Sequence, residues 1–161
     1  VMAQAIQEFL PARRVVAVDV VDRYFKTLSV ETRVYDGQRL PFDEGAFDAA
    51  TINNVMHHVP VPIRADLMRE VRRAVKGPVY IKDHVATSSL DHARLTVLDA
   101  IGNIPFGGQV QANYLTEAEW QALAEAAGYR IAARFSGAYR SGLMVLAFPN
   151  RLETTMRFEP V

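Results

Sequence analysis

The chain contains no cysteine. That excludes a disulfide framework, a thiolate metal site and a cysteine nucleophile. It has no excess of charge, with Lys+Arg 18 against Asp+Glu 18. A nucleic-acid or acidic-membrane role therefore has no global electrostatic support, and no nucleic-acid partner is expected. Long apolar runs are missing too, so no membrane span is expected. No basic segment followed by an apolar one opens the chain, and a cytoplasmic location is the expectation. There is no internal repeat and no low-complexity segment. Glycine is scarce at the start: of 9 glycines the first is Gly37. What remains is 161 residues, 50% hydrophobic and 22% charged. That is enough for one domain with a real core.

Apolar runs and helical patterns alternate along this chain. MAQAIQEFL carries Met2, Ile6, Phe9 and Leu10 at helical spacing, and Pro11 ends the run. VVAVD is a short β-branched strand that stops at Asp19. ETRVYDG is a second, ending in Asp36-Gly37. A buried strand is expected over roughly residues 49–53, leading into a loop punctuated by Pro60 and Pro62. RADLMREVRRAV is amphipathic, with Leu67, Met68, Val71 and Val75 on one side and Gly77-Pro78 as the stop. VYIKD is the next strand. Helical pattern returns around DHARLTVLDAIGN, followed by a Gly107-Gly108 turn. Thr116 and Glu119 form a capping box for a helix that Gly128 ends. RIAARFS and LMVLAFP read as two strands joined by a short polar turn, and the tail after Pro149 reads as polar and frayed.

Such alternation predicts an α/β fold with a mostly parallel sheet covered on both faces. The last two strands have no long crossover between them and should pair as an antiparallel hairpin. Ligands in these sheets bind beyond the carboxyl ends of the strands. Asp19, Asp36, Asn53, Asn54 and Asp83 all fall at or just past such ends.

The run DGQRLPFDEGAFDAATINNVMHHVPVP resembles the core signature of class I S-adenosylmethionine (SAM)-dependent methyltransferases, in the small-molecule, type 11-like branch. The elements are Asp36, Leu40-Pro41-Phe42, Phe47-Asp48 and Met56-His57-His58. DLMREVRRAVKG is similar to the family's next helix, and the segment from IKDH to AAGY to a subgroup with an insert after the fifth strand. The resemblance implies a Rossmann-like methyltransferase domain over residues 1–149, with 150–161 as a tail. It implies SAM as cofactor and a small-molecule acceptor.

On that resemblance Asp19 and the following Val20 hold the ribose diol. Asp36 accepts from the adenine amine while the Gly37 N–H meets a ring nitrogen. Asn53 and Asn54 lie near the sulfonium, and His57 or His84 takes a proton from the acceptor. The plainer readings are a helix cap or turn former at Asp19, a turn dipeptide at Asp36-Gly37 and a packed loop histidine at His58. Asp48 is expected to cap or bridge, and Arg72-Arg73 to form a solvated helix face. His84 and His92, with Asp83 and Asp91, lack ordered ligand spacing, so no metal is expected there. Trp120 is expected in packing, and Asn113-Tyr114 beside the acceptor pocket. Leu98, Ile101, Ile104, Phe106 and Tyr114 suggest a moderately apolar pocket.

Two other classes share some of these features. A nicotinamide-dependent oxidoreductase also ends its second strand in an acid, but it has no FD…HH block. A non-catalytic relative keeps the fold as a binding or scaffold module. The family's opening strand and its Asp-x-Gly-x-Gly turn have no counterpart here, and glycine is needed there so that the backbone can approach the ligand. VMAQAIQEFL reads like the helix that follows that turn, so the turn is expected immediately upstream of Val1. The 161-residue chain alone should accordingly bind SAM weakly or not at all; micromolar affinity in calorimetry would overturn this.

Overall fold

The computed structural model describes residues 2–22, 24, 27–104 and 111–161. Phe106 and the Gly107-Gly108 turn fall outside the described residues. The chain divides into two compact units, Val1–Phe42 and Asp43–Val161.

In the first unit, α1 (Met2–Phe9) precedes β1 (Val16–Asp19) and β2 (Glu31–Val34). The two strands pair in parallel, with Val16 opposite Glu31 and Asp19 opposite Val34. The ladder continues one step as Tyr35 N–H donates to the Asp19 carbonyl. Tyr24 ties the pair together through its hydroxyl, which reaches the carbonyls of Ala17 (3.3 Å) and Arg33 (2.7 Å). Glu31 carries ion pairs to Arg14 and Arg33. No residue of α1 is buried within the chain, and Phe9 is 80% exposed.

In the second unit, four strands stand in the order β3 (Ala50–Asn53), β4 (Val79–His84), β6 (Glu153–Pro160), β5 (Tyr129–Phe135). β3 and β4 run parallel, whereas β6 is antiparallel to both β4 and β5. Helices α2 (Arg64–Ala74), α3 (Ser89–Asn103) and α4 (Glu117–Ala126) connect them. The core holds Met68, Val71 and Ala74 from α2, Val79 and Ile81 from β4, Trp120 and Leu123 from α4, and Met156 and Phe158 from β6. Trp120 meets Phe158 edge-on at 6.4 Å, and its indole N–H donates to the His84 carbonyl. The ring satisfies its polar atom where it buries its apolar body.

Local chemistry explains these helices. Thr116 and Glu119 form the full reciprocal capping box expected for α4. Ser88 accepts from the Asp91 N–H to start α3. Arg73 pairs with Glu70 along α2, while Arg72 lies over the Tyr129 ring at 6.0 Å rather than facing only water. Asp48 bridges to Lys76 at 3.0 Å on a surface where its own side chain is 93% exposed, so the bridge contributes little.

The closing strands differ from expectation. An antiparallel pair does end the chain, but its second member is 153–160 rather than LMVLAFP. Residues Leu143–Ala147 form a short helix, α5, with Leu143 and Leu146 largely exposed. Leu, Met and Ala favour helix. The tail expected to fray instead alternates Thr154, Met156 and Phe158 inward, and Met156 and Phe158 are fully buried. A reciprocal clasp closes the intervening excursion: Asn150 Oδ1 accepts from Arg140 N–H, and Asn150 Nδ2 donates to the Arg140 carbonyl. Arg140 also pairs with Glu153 at the head of β6.

Gly77, the stop after α2, is where two segments approach most closely. A Cβ on it would lie 2.1 Å from the Asp48 carbonyl oxygen. That contact locks the turn leading into β4 against the residues opening β3. Gly77→Ala is expected to lower unfolding stability by about 1–3 kcal/mol in urea; an unchanged midpoint would show that the turn yields freely.

Candidate functional site

The first unit brings four of the expected cofactor residues to one sheet end. Asp19 closes β1 opposite Val34, and Asp36 follows two residues beyond that partner. Asp19 Oδ1 accepts from Val21 N–H at 3.2 Å. Asp36 Oδ1 accepts from Gln38 N–H (2.8 Å) and Arg39 N–H (3.0 Å), and these bonds hold its carboxyl below the usual range. Gly37 sits at φ +81°, and a Cβ there would be 3.6 Å from a Val20 methyl. Both carboxylates thus organise their own loops, as the turn reading expects. Both also stand at the carboxyl ends of adjacent parallel strands.

In the second unit β3 ends at Asn53, whose side-chain amide donates to Thr51 Oγ1 at 2.7 Å. Asn54 then takes φ +53°, a left-handed conformation that Asn tolerates, while its N–H donates to the Lys82 carbonyl. This turn directs the chain into the 3-10 turn Met56–His58.

Asp83, at the carboxyl end of β4, is fully buried and anchors that turn. Its Oδ2 accepts from Met56 N–H at 2.9 Å. Its Oδ1 faces His57 Nδ1 in a short contact and also accepts from His84 N–H at 2.7 Å. The other ring nitrogen of His57, Nε2, lies 3.3 Å from Asp99 Oδ2 on α3, within ion-pair range but off the line of a hydrogen bond. Tyr114 donates its hydroxyl to the same Asp99 oxygen at 2.7 Å. Its ring stacks 5.2 Å from that of His57, as does the ring of His84 at a tilt. Asn113 N–H donates to the His57 carbonyl, and Arg64 spans the carbonyls of Val59 and Asn113. His57 is 1% exposed and His84 5%.

Charge in this cluster is unevenly placed. Burial disfavours an imidazolium, yet the carboxylates of Asp83 and Asp99 outweigh it and push His57 up to about 9. At His84 burial prevails, and its pKa falls below the usual value. Burial works against the ionised form of Asp99 as well, but His57 and the Tyr114 hydroxyl hold it below the ordinary carboxylate range. Burial and Asp99 push Tyr114 up, so it stays a donor.

Of the expected catalytic pair, His57 and His84 do come together. Asn113-Tyr114 joins them, with Tyr114 buried against Asp99. His58 bonds through Nδ1 to the Gln111 carbonyl, as a packed loop histidine would. The expected apolar pocket is not assembled by the described residues: Leu98 packs against the buried Tyr114 cluster, whereas Ile101 and Ile104 are 65% and 63% exposed. Asp99 escaped the sequence reading. Its signal is a carboxylate inside the apolar run TVLDAIG, four residues after Leu95 and eight after Asp91, all on the buried face of α3.

Residues 2–80 match the family model described as a methyltransferase domain. Similar solved structures include a chain from the complex between the Haloferax volcanii Trm112 methyltransferase activator and a methyltransferase. It is 14% identical with a TM-score of 0.70, over 97% of this chain and 76% of that one. A SAM-dependent methyltransferase from Methanosarcina mazei is 16% identical with a TM-score of 0.63, over 91% and 81%. The magnesium protoporphyrin IX methyltransferase of Synechocystis PCC 6803, solved with S-adenosylhomocysteine (SAH) bound, is 16% identical with a TM-score of 0.52, over 82% and 52%. No curated protein matches the chain in sequence. Residues 2–80, just under half of the chain, thus match a methyltransferase domain, and the chain as a whole shares the Rossmann-like fold of these structures. No helix among the described residues is long and apolar enough to cross a membrane.

The shifted histidines make stability depend on pH in a defined way. His57 is raised above its ordinary 6.5, so its contribution is complete below that pH and is lost as pH rises through about 9. His84 is lowered, so it penalises the fold as pH falls through 6.5. In the presence of a chelator the melting temperature should peak near neutrality and fall by several degrees towards pH 9, a loss of up to about 3 kcal/mol. His57→Gln should flatten the alkaline limb; an equally steep limb in that variant would sink the assignment.

Proposed function

We propose that this chain works as a SAM-dependent methyltransferase on a small-molecule acceptor. The observation that carries the reading is that Asp19-Val20 and Asp36-Gly37 both fall at or just past the carboxyl ends of adjacent parallel strands, with Gly37 against the Val20 side chain. A vicinal diol offers two donors, which suits one carboxylate, and an amino-purine edge offers a donor beside an acceptor, which suits Asp36 with the Gly37 N–H. The match of residues 2–80 to a methyltransferase domain supports the same assignment.

Methyl transfer is an in-line displacement: an acceptor lone pair attacks the methyl carbon, the sulfonium–methyl bond breaks and SAH leaves. The protein's part is alignment and exclusion of water. An acceptor that bears a hydrogen must also lose it. We assign the receipt of that proton to His84, which burial keeps neutral, whereas His57, its pKa raised to about 9 by Asp83 and Asp99, holds its own proton near neutrality.

Weak binding is visible in amide NMR shifts. Titrating the chain with SAH to millimolar concentration should shift the amides of Val20 and Gly37, and Asp19→Asn or Asp36→Asn should abolish the shifts. With methyl-labelled SAM and a metabolite extract, label is expected in a small compound. No shifts at millimolar SAH would overturn the cofactor reading, and label found only in macromolecules would overturn the small-molecule acceptor.

A further inference from the structure

We propose that His57, His84 and Asp99 form a binding site for a divalent first-row transition ion of the zinc type. One ring nitrogen of each histidine and a carboxylate oxygen of Asp99 all lie within 4.8 Å of one another. The three residues come from the 3-10 turn, the end of β4 and α3, and none is more than 9% exposed. Two imidazoles and a carboxylate, with one place left open, are a donor set that zinc uses with an added water or ligand.

Two buried atoms point to the ion. His57 Nε2 and His84 Nδ1 have no hydrogen-bond partner among the described residues. Buried polar side-chain atoms are ordinarily paired. A second proton on His57 would address only one of them, and Nε2 and Asp99 are off the line of a hydrogen bond. A cation shared by the donors addresses the cluster as a whole. The surroundings are those of ligands held from behind. Asp83 fixes His57 through Nδ1, which turns Nε2 outward as a donor to the ion, and Tyr114 fixes Asp99.

Charge agrees with this assignment. Asp83 and Asp99 are both buried, while Arg64 spends its N–H groups on carbonyls, and Lys82 and Arg140 pair with Glu153. A doubly charged ion balances the two carboxylates and leaves both imidazoles neutral. Tetrahedral ligands at about 2.0–2.2 Å from zinc stand roughly 3.3–3.5 Å apart. His57 Nε2 and Asp99 Oδ2 already do so at 3.3 Å. The remaining donor closes in by about 1 Å on loading. The site stands on the cluster alone; only its use rests on the methyl-transfer reading. An ion there would make the proton of an acceptor oxygen at the open position more acidic, and the histidine serves as proton acceptor only in the metal-free chain.

The test uses the whole chain, treated with chelator and then titrated with Zn²⁺ by calorimetry without SAM. One site per chain with submicromolar affinity is expected. His84→Gln and Asp99→Asn should each weaken it at least tenfold, while His92→Gln leaves it unchanged. Circular dichroism checks that the variants fold. Should they not, Co²⁺ bound to the unaltered chain gives the second reading, with intense visible bands expected for four-coordinate nitrogen–oxygen ligation. No saturable site, unchanged affinity in both variants, or the weak bands of six-coordinate Co²⁺ would overturn the proposal. The SAH shifts are read on the same protein without metal. Their survival while zinc binding fails removes only this site, and the converse removes only the cofactor reading.

Discussion

A single buried carboxylate organises the second unit. Asp83 leaves water entirely at the end of β4 and holds Met56 N–H, the His57 ring and its own neighbour's N–H at His84. An unpaired charge in that position would cost several kcal/mol, so the residues that satisfy it cannot drift independently. The turn after β3 is thereby tied to the end of β4, the strand with which β3 pairs in parallel. Asn54's left-handed backbone and the 3-10 turn follow from where Asp83 needs its donors.

The polar cluster grows outward from this anchor. His57 carries the influence of Asp83 to Asp99, and Asp99 carries it to Tyr114. The backbone at Asn113 closes the ring by bonding to the His57 carbonyl. Each member is buried, so each contact acts in a low dielectric where it counts for more than the ion pairs on the surface. Arg14–Glu31 and Lys76–Asp48 show the contrast: similar distances, but with exposed partners and little consequence. A buried network of titratable groups is also where function concentrates, because proton affinity there departs from solution values.

Much of the fold was legible because local signals agreed with the tertiary answer. α2 showed its apolar face, and α4 its capping box. VVAVD and VYIKD showed uninterrupted apolar character, as strands of a parallel sheet do. LMVLAFP misled because a short apolar run does not reveal its period. ETTMRFEP was passed over because its charged residues alternate with buried ones, and a polar average conceals a strand that is half-buried. Only the Arg140–Asn150 clasp and the pairing with β4 decide that residues 153–160, and not 143–149, fill the sheet.

The candidate site divides the same way. Sequence by itself determined the residue types at strand ends: Asp19, Asp36-Gly37, Asn53-Asn54 and the His57-His58 pair, because a strand end fixes which end of its own sheet the following residues occupy. The methyltransferase resemblance was legible for the same reason, since order and spacing survive in one dimension. Tertiary structure alone decided that Asp99, 42 positions after His57, stands 3.3 Å from it, and that Tyr114 stacks on that ring. Burial is a property of the assembled chain. Until α3 covers the end of β4, His57 and His84 are ordinary solvated histidines, and it is their removal from water that gives them shifted proton affinities and unpartnered nitrogens.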